Sequence, residues 1–215
     1  MQIAVLIYDR FTALDAVGPY EVLGRLPGAE VVFVAEQAGP VRTDSGGLSL
    51  VAEAALADVR RPDLVLVSGG PGTEPLLAPG PVLDWIREVD AHTAWTTSVC
   101  SGSLILAAAG LLAGRRATTH WIATDTLRAL GAVPSAERYV IDGKYATAAG
   151  VSAGIDLALH LAGRLAGDTV ARAIQLAIEY DPQPPYDSGS LDGADQEVVD
   201  VIRSGSQPLL YGDRR

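Results

Sequence analysis

The chain has 215 residues, of which 48% are hydrophobic and 20% are charged, and this composition excludes an intrinsically disordered protein. Its 26 acidic and 16 basic residues give a net charge of −10, so we expect no nucleic acid partner, because such a surface needs an excess of basic residues. No apolar run approaches the roughly 20 residues that span a bilayer, so we expect no membrane partner either. The single cysteine, together with an N-terminus that lacks a basic leader, predicts a cytoplasmic protein without disulfides.

Short apolar, β-branched runs alternate along the chain with longer segments of helical periodicity. Strands are predicted at residues 2–8, 31–35, 64–67 and 95–99, and hairpins at residues 41–51 and 139–147. Helices are predicted at residues 13–26, 81–91, 101–109, 121–130, 153–165 and 169–178. We expect one domain over residues 1–190 and a C-terminal tail, partly docked or flexible, over residues 191–215.

This alternation predicts an α/β fold with a mostly parallel sheet and helices on both faces. Ligands of such folds bind beyond the carboxyl ends of the strands. Three features of the sequence fall at that edge: the loop after the first strand, the Gly69-Gly70 loop and Cys100. We therefore expect the functional site there.

Cys100 follows a predicted strand directly and precedes a predicted helix, with small residues around it. This is the layout of a nucleophile elbow, a sharp turn that exposes the nucleophilic side chain. The helix N-terminus is expected to lower the thiol pKa. The alternative is a buried structural cysteine, which would explain neither the junction nor the glycine loop.

The loop Gly69-Gly70-Pro71-Gly72 follows a buried strand, and the backbone amides of Gly70 and Ser101 could face a developing anion. The alternative is a plain turn. The loop matches neither the G-x-G-x-x-G dinucleotide fingerprint nor the P-loop pattern.

Asp15 lies at the start of the first predicted helix, where a carboxylate could cap the helix or donate a proton beside Cys100. Glu21 is a weaker candidate for the proton donor. His120 precedes another predicted helix, and no histidines stand at metal-ligand spacing, so we expect no metal.

Together these motifs resemble the ThiJ/PfpI superfamily, which is related to the class I glutamine amidotransferases. The motifs are residues 14–23, 69–72, 98–102 and 110–121. The segments at residues 150–156 and 175–180 resemble its isonitrile hydratase branch. The resemblance implies a flavodoxin-like sandwich, usually a homodimer, that needs no cofactor.

The resemblance also implies roles for particular residues. Cys100 matches the nucleophile, Asp15 the acid, and Ser101 the residue after the nucleophile, which is often threonine in that branch and histidine in the peptidase-like branch. Thr119 and His120 belong to a matched motif, and with Trp121 and Gly70 they are the expected substrate-binding and oxyanion-binding residues.

The leading functional hypothesis is therefore cysteine-dependent hydration of an isonitrile to an N-substituted formamide. One alternative is a glyoxalase-like reaction in which His120 abstracts a proton. Another is a non-catalytic ligand-binding or redox-sensing protein in which Cys100 is oxidised. The superfamily domain also occurs in AraC-type regulators, but the sequence ends at Arg215 without a helix-turn-helix, so we expect a stand-alone enzyme with a small-molecule substrate.

Overall fold

The structure is a computed structural model that describes residues 1–204. Its eleven strands in that range are β1 (Gln2–Leu6), β2 (Glu30–Ala35), β3 (Gly39–Arg42), β4 (Ser49–Ala52), β5 (Ala54–Ala55), β6 (Leu64–Val67), β7 (Trp95–Val99), β8 (Arg116–Ala117), β9 (Val133–Pro134), β10 (Tyr139–Asp142) and β11 (Tyr145–Ala148). The α-helices in the same range are α1 (Ala13–Leu23), α2 (Pro81–Asp90), α3 (Gly102–Ala108), α4 (Thr124–Ala129), α5 (Ala153–Ala166), α6 (Asp168–Ala177) and α7 (Gln196–Arg203). Short 3₁₀ helices cover Leu56–Asp58, Pro71–Leu77 and Trp121–Ala123.

The central sheet has the strand order β10-β11-β7-β6-β1-β2-β5, and all neighbours are parallel except β10 and β11. All four residues of β6 are buried, as are four of the five residues of β1, because helices cover both faces of the sheet. Helices α1 and α5 pack together, and α3 packs with α2 and α4. The predicted fold class, a mostly parallel sheet flanked by helices, is confirmed.

Two predicted helices differ from the observed ones by more than one residue at an end. The segment predicted at residues 13–26 ends at Leu23, because Arg25 and Leu26 form tight turns through their amide hydrogen bonds to Val22 and Leu23. The segment predicted at residues 121–130 begins as a 3₁₀ turn before α4. The two predicted hairpins are present as the antiparallel pairs β3–β4 and β10–β11.

The chain divides into two compact units, one formed by Met1–Ile178 and the other beginning at Glu179. Within the second unit, α7 is an amphipathic helix. The domain limits expected from the sequence, 1–190 and 191–215, stay a prediction, and residues 205–215 of that tail lie outside the described residues. No helix within residues 1–204 is long and apolar enough to cross a membrane.

Candidate active site

The carboxyl ends of four neighbouring strands lie at one edge of the sheet. In spatial order they are β11, β7, β6 and β1. Because the strands are parallel, the segments that follow them meet at this edge. Cys100 follows β7, the Gly69 loop follows β6, and Tyr8 and Asp15 follow β1.

Cys100 occupies the sharp turn between β7 and α3. Its φ angle of 56° lies in the left-handed region, which non-glycine residues rarely adopt. The turn is fixed by the Cys100 amide, which donates to the carbonyls of Ala148 (3.1 Å) and Ala149 (2.9 Å). Gly102 allows α3 to start close to β6, since a Cβ atom there would lie 2.2 Å from the Val67 carbonyl oxygen. The predicted elbow geometry is therefore present.

The environment of the sulfur differs from the expected one in two respects. Cys100 is only 6% exposed, so the expected exposed side chain is wrong. The expected lowering of its pKa is also wrong, because burial and then the charge of Asp15 raise the pKa of the Cys100 thiol. The backbone amides of Ser101 and Val151 and the Ser101 hydroxyl oppose this rise only in part.

Asp15 is fully buried beside this thiol. Its Oδ2 atom accepts a hydrogen bond from the Gly69 amide (2.8 Å), while Oδ1 has no nitrogen or oxygen partner in residues 1–204. Burial raises the pKa of Asp15 from 3.8 to about 7, against the lowering effects of the Gly69 amide and the Cys100 thiol. The N-cap of α1 is Thr12, so Asp15 does not cap its helix.

Gly69 lies in close contact with the three candidate catalytic residues Cys100, Asp15 and Ser101. A Cβ atom at this position would lie 2.6 Å from the Ser101 nitrogen, 2.8 Å from Asp15 Oδ2 and 2.9 Å from the Cys100 Cβ atom. All three distances are shorter than van der Waals contact. Glycine is therefore required for Asp15 to lie beside Cys100.

The amides of the glycine loop already have partners within the chain. Gly69 donates to Asp15, and Gly70 donates to the Ser101 hydroxyl oxygen at 2.9 Å. The Gly70 amide therefore holds Ser101, while the amides that influence the sulfur are those of Ser101 and Val151. The expected oxyanion role of Gly70 stays a prediction.

The segment 119–121 also reaches this edge. The Thr119 hydroxyl donates to the Cys100 carbonyl (3.1 Å), and the His120 ring lies against Gly150 in the loop after β11. Burial lowers the pKa of His120, and its Nδ1 atom accepts the Ile122 amide at 3.3 Å, as a neutral imidazole does. The Trp121 ring lies 5.7 Å from the His120 ring.

Glu21, the weaker candidate for the proton donor, does not join this group: its carboxylate pairs with Arg25 (2.7 Å). A surface groove of about 230 Å³ lies between α5 and α6, and its lining includes none of the predicted site residues. Within residues 1–204, no group of three or more His, Cys, Asp or Glu side chains could hold a metal ion.

Sequence reasoning missed two polar side chains of the site. Tyr8 is buried after β1, and its hydroxyl lies 2.8 Å from the Thr73 hydroxyl, which lies 2.9 Å from the Ser101 hydroxyl. The available signal was their position in the chain, Tyr8 two residues after β1 and Thr73 immediately after the glycine loop. The hydrogen bonds between them depend on the tertiary fold, and no sequence pattern predicts such contacts.

The chain belongs to the DJ-1/PfpI family, whose model matches residues 1–164. A crystal structure of a ThiJ/PfpI family protein from Pseudomonas syringae is 39% identical, has a TM-score of 0.91, and is matched over 99% of this chain and 88% of that one. Drosophila melanogaster DJ-1beta shares the fold at 20% identity, with a TM-score of 0.75, over 84% of this chain and 98% of that one.

Among proteins of described function, isonitrile hydratase of Pseudomonas putida is 46% identical over 210 residues, which are 98% of this chain and 92% of that protein. The HTH-type transcriptional regulator CdhR of Pseudomonas aeruginosa is 40% identical over 118 residues, 54% of this chain and 34% of the regulator. The similarity to the hydratase thus extends over nearly the full length of both chains, whereas the similarity to the regulator covers a third of the regulator.

Proposed function

We propose that this protein is an isonitrile hydratase, a lyase that converts an isonitrile and water into an N-substituted formamide. The observation that carries this proposal is the 46% identity to the Pseudomonas putida isonitrile hydratase over 98% of the chain. The buried pair of Cys100 and Asp15, arranged around Gly69, supplies a nucleophile and a proton carrier for that reaction.

In the first half of the reaction, Cys100 adds to the terminal carbon of the isonitrile. The thiol proton passes to the Asp15 carboxylate, the sulfur forms a bond to the carbon, and Asp15 returns the proton to the same carbon. The product is a thioimidate, R–N=CH–S–Cys100, and no atom is lost. The Asp15 pKa of about 7 suits a group that must accept and then release a proton at neutral pH.

In the second half, water hydrolyses the thioimidate. Asp15 takes one proton from water as the hydroxyl adds to the carbon, and passes this proton to the nitrogen. Collapse of the tetrahedral intermediate breaks the carbon–sulfur bond, and the hydroxyl proton returns to sulfur. The products are R–NH–CHO and the free Cys100 thiol, so one water is consumed in each cycle.

Uncharged neighbours suit an uncharged substrate. Thr119 holds the Cys100 carbonyl, and His120 stands neutral beside the loop that carries Val151. We assign His120 and Trp121 to binding of the isonitrile substituent, and Gly70 and Ser101 to the tetrahedral intermediate. In this assignment His120 moves no proton, in contrast to its role in a glyoxalase-like reaction.

We further propose that the protein is a homodimer and that it acts in the cytoplasm. The dimer follows from the resemblance to the superfamily. A reducing compartment keeps the one cysteine of the chain in the thiol form that the reaction needs.

The test is formamide production from a simple aryl isonitrile by the wild type and by Cys100→Ala. We expect turnover by the wild type and none by the variant, with an unchanged circular dichroism spectrum, because the mutation removes only the sulfur atom. Formamide production by Cys100→Ala would contradict covalent catalysis. Turnover of an α-keto aldehyde instead of the isonitrile would support the glyoxalase-like alternative.

A further inference from the structure

The carbonyl group of Cys100 accepts hydrogen bonds from two buried side-chain hydroxyls. The Thr119 hydroxyl donates to it at 3.1 Å and the Ser103 hydroxyl at 3.2 Å. Thr119 is 5% exposed and Ser103 is fully buried, so water does not compete for this carbonyl. Within residues 1–204 no backbone amide donates to it, because the sharp turn takes it out of the sheet and out of α3. The two hydroxyls therefore satisfy a carbonyl that the main chain leaves without a partner.

The peptide bond between Cys100 and Ser101 connects this carbonyl to the Ser101 amide. The bond is trans, and a trans peptide is planar with its N–H and C=O pointing in opposite directions. Fixing the carbonyl therefore fixes the amide. The Ser101 amide acts on the Cys100 sulfur and lowers the pKa of the thiol, against the effects of burial and of the Asp15 charge. The hydroxyls on the carbonyl side thus determine where the amide on the sulfur side points.

The hydrogen bonds on the carbonyl also make the Ser101 amide a stronger donor. A carbonyl that accepts hydrogen bonds draws electron density from the peptide nitrogen, so the N–H of the same peptide becomes more positive. Two hydroxyls act on the Cys100 carbonyl in this way, in a buried site where water does not screen them. Direction and polarity both favour a hydrogen bond from the Ser101 amide to the reacting atoms.

The peptide on the other side of Cys100 is held separately. The Cys100 amide donates to the carbonyls of Ala148 and Ala149 after β11. These hydrogen bonds fix where the elbow begins but leave the following peptide, Cys100–Ser101, free to rotate. The hydroxyls of Thr119 and Ser103 restrain that rotation.

We propose that Thr119 and Ser103 are positioning residues that hold the Cys100 carbonyl and thereby direct the Ser101 amide at the reacting atoms. Thr119 acts through the main chain in this role and needs no contact with the substrate. In the hydration of an isonitrile, the amide donates to the oxygen that adds to the thioimidate carbon, and this consequence rests on the proposed function.

The variants Thr119→Val and Ser103→Ala, singly and together, test the proposal, because each removes one donor to the carbonyl. Thr119→Ser keeps the hydroxyl and should behave as the wild type does. Thr97→Val is the matched control. The Thr97 hydroxyl is also buried, lies in β7 and donates to a carbonyl, that of Val65, at 2.8 Å, but it does not touch the elbow.

The first measurement is the rate at which iodoacetamide alkylates Cys100, the one cysteine of the chain. The thiolate is the reacting form, so a weaker hydrogen bond from the Ser101 amide raises the thiol pKa and slows the reaction. We expect the double variant to react about tenfold more slowly at pH 8, equivalent to about one unit of pKa, and each single variant to be slowed less. Loosened packing would expose the sulfur and speed the reaction, so general structural damage has the opposite sign.

The second measurement is the kinetics of formamide production. We expect kcat to fall about tenfold or more in the double variant with little change in KM, because the directed amide contributes in the transition state. A rise in KM at constant kcat would instead indicate that Thr119 contacts the substrate, and would overturn the proposal.

An unchanged or faster alkylation of the double variant, or an equal slowing in Thr97→Val, would also overturn it. Should the double variant fail to fold, wild-type alkylation rates in both single variants would have the same meaning. Alkylation needs no isonitrile, so an enzyme without formamide production but with the expected alkylation pattern would refute only the proposed function.

Discussion

At the level of single residues, burial influences the pKa of the Cys100 thiol more than the dipole of α3 does. Cys100 stands at the N-terminus of α3, yet burial and the charge of Asp15 outweigh the favourable amides and raise its pKa. A raised thiol pKa beside a carboxyl group whose pKa is about 7 means that the two groups share protons as a pair at neutral pH. The proposed addition to an isonitrile requires such a pair, because sulfur and proton end on the same carbon.

The pH dependence of catalysis follows from this pair. Asp15 must be ionised to take the thiol proton, so kcat/KM should rise with pH through about pH 7 and level off above it. An isonitrile does not titrate in this range, so the profile reports on the free enzyme. A profile that is flat between pH 5 and 8 would contradict the role of Asp15 as the proton acceptor.

The same carboxyl should make the fold less stable as the pH rises. Its pKa is 3.8 in the unfolded chain and about 7 in the folded protein, so the native state binds the proton more tightly between these values. The free energy of unfolding should fall from pH 4 to pH 7 by up to roughly 4 kcal/mol through this group. Denaturant unfolding as a function of pH should show that Asp15→Asn lacks this fall.

Asp125→Asn is the matched control for that experiment, because the Asp125 side chain is 96% exposed. It should retain the pH slope of the wild type. A slope that is the same in Asp15→Asn and in the wild type would mean that the pKa of Asp15 is not raised.

At the level of elements, the site forms where four parallel strands end at one edge of the sheet. The Gly69 loop after β6 separates the elbow after β7 from α1, and its lack of a side chain sets their spacing. Gly69→Ala would place a Cβ atom 2.6–2.9 Å from Ser101, Asp15 and Cys100, so one of the elements must move. We expect turnover to fall about 10²-fold or more, since a displacement near 1 Å has that effect.

Gly80→Ala is the control for this prediction, because the nearest atom to a Cβ at Gly80 is the Ala78 carbonyl oxygen at 3.8 Å. Kinetic assays of both variants, together with thermal unfolding, separate loss of the site from loss of the fold. Activity of Gly69→Ala equal to that of Gly80→Ala would contradict the proposed spacing.

The sequence predicted the elements well wherever local patterns determine them. Strands β6 and β7 have the predicted bounds, because short runs rich in apolar and β-branched residues end just before the Gly69 loop and at Cys100. The end of α1 was predicted three residues late, because Leu26 continues the apolar pattern while the backbone turns. The burial of Cys100 and the contacts of Tyr8 with Thr73 depend on how distant loops pack, and no local pattern contains that information.

At the level of the whole molecule, the resemblance predicts a homodimer. Sedimentation equilibrium at micromolar concentration should give twice the chain mass of 22.4 kDa. Turnover per chain should be independent of dilution until the dimer dissociates. A chain that sediments as a monomer at that concentration would contradict this prediction without affecting the assignment of Cys100 and Asp15.

The net charge of −10 bears on the substrate class. A field of that sign repels anionic substrates and has no effect on the encounter with a neutral isonitrile. We therefore expect kcat/KM for an uncharged isonitrile to be unchanged between low and high salt concentration. A steep dependence of this kcat/KM on ionic strength would contradict the expectation.

The central claim is that Cys100 forms a thioimidate and that Asp15 carries the protons that form and hydrolyse it. Its most direct test is intact-protein and peptide mass spectrometry of Asp15→Asn after addition of an aryl isonitrile. Asparagine preserves the shape of the side chain but cannot accept and return a proton, so formamide production should fall about 10²–10⁴-fold. An adduct with the full mass of the isonitrile should form on the peptide that contains Cys100 in the wild type, and it should form more slowly in Asp15→Asn, because the first half of the reaction also needs proton transfer by Asp15. Near-normal turnover by Asp15→Asn, or an adduct on a different residue, would contradict the account.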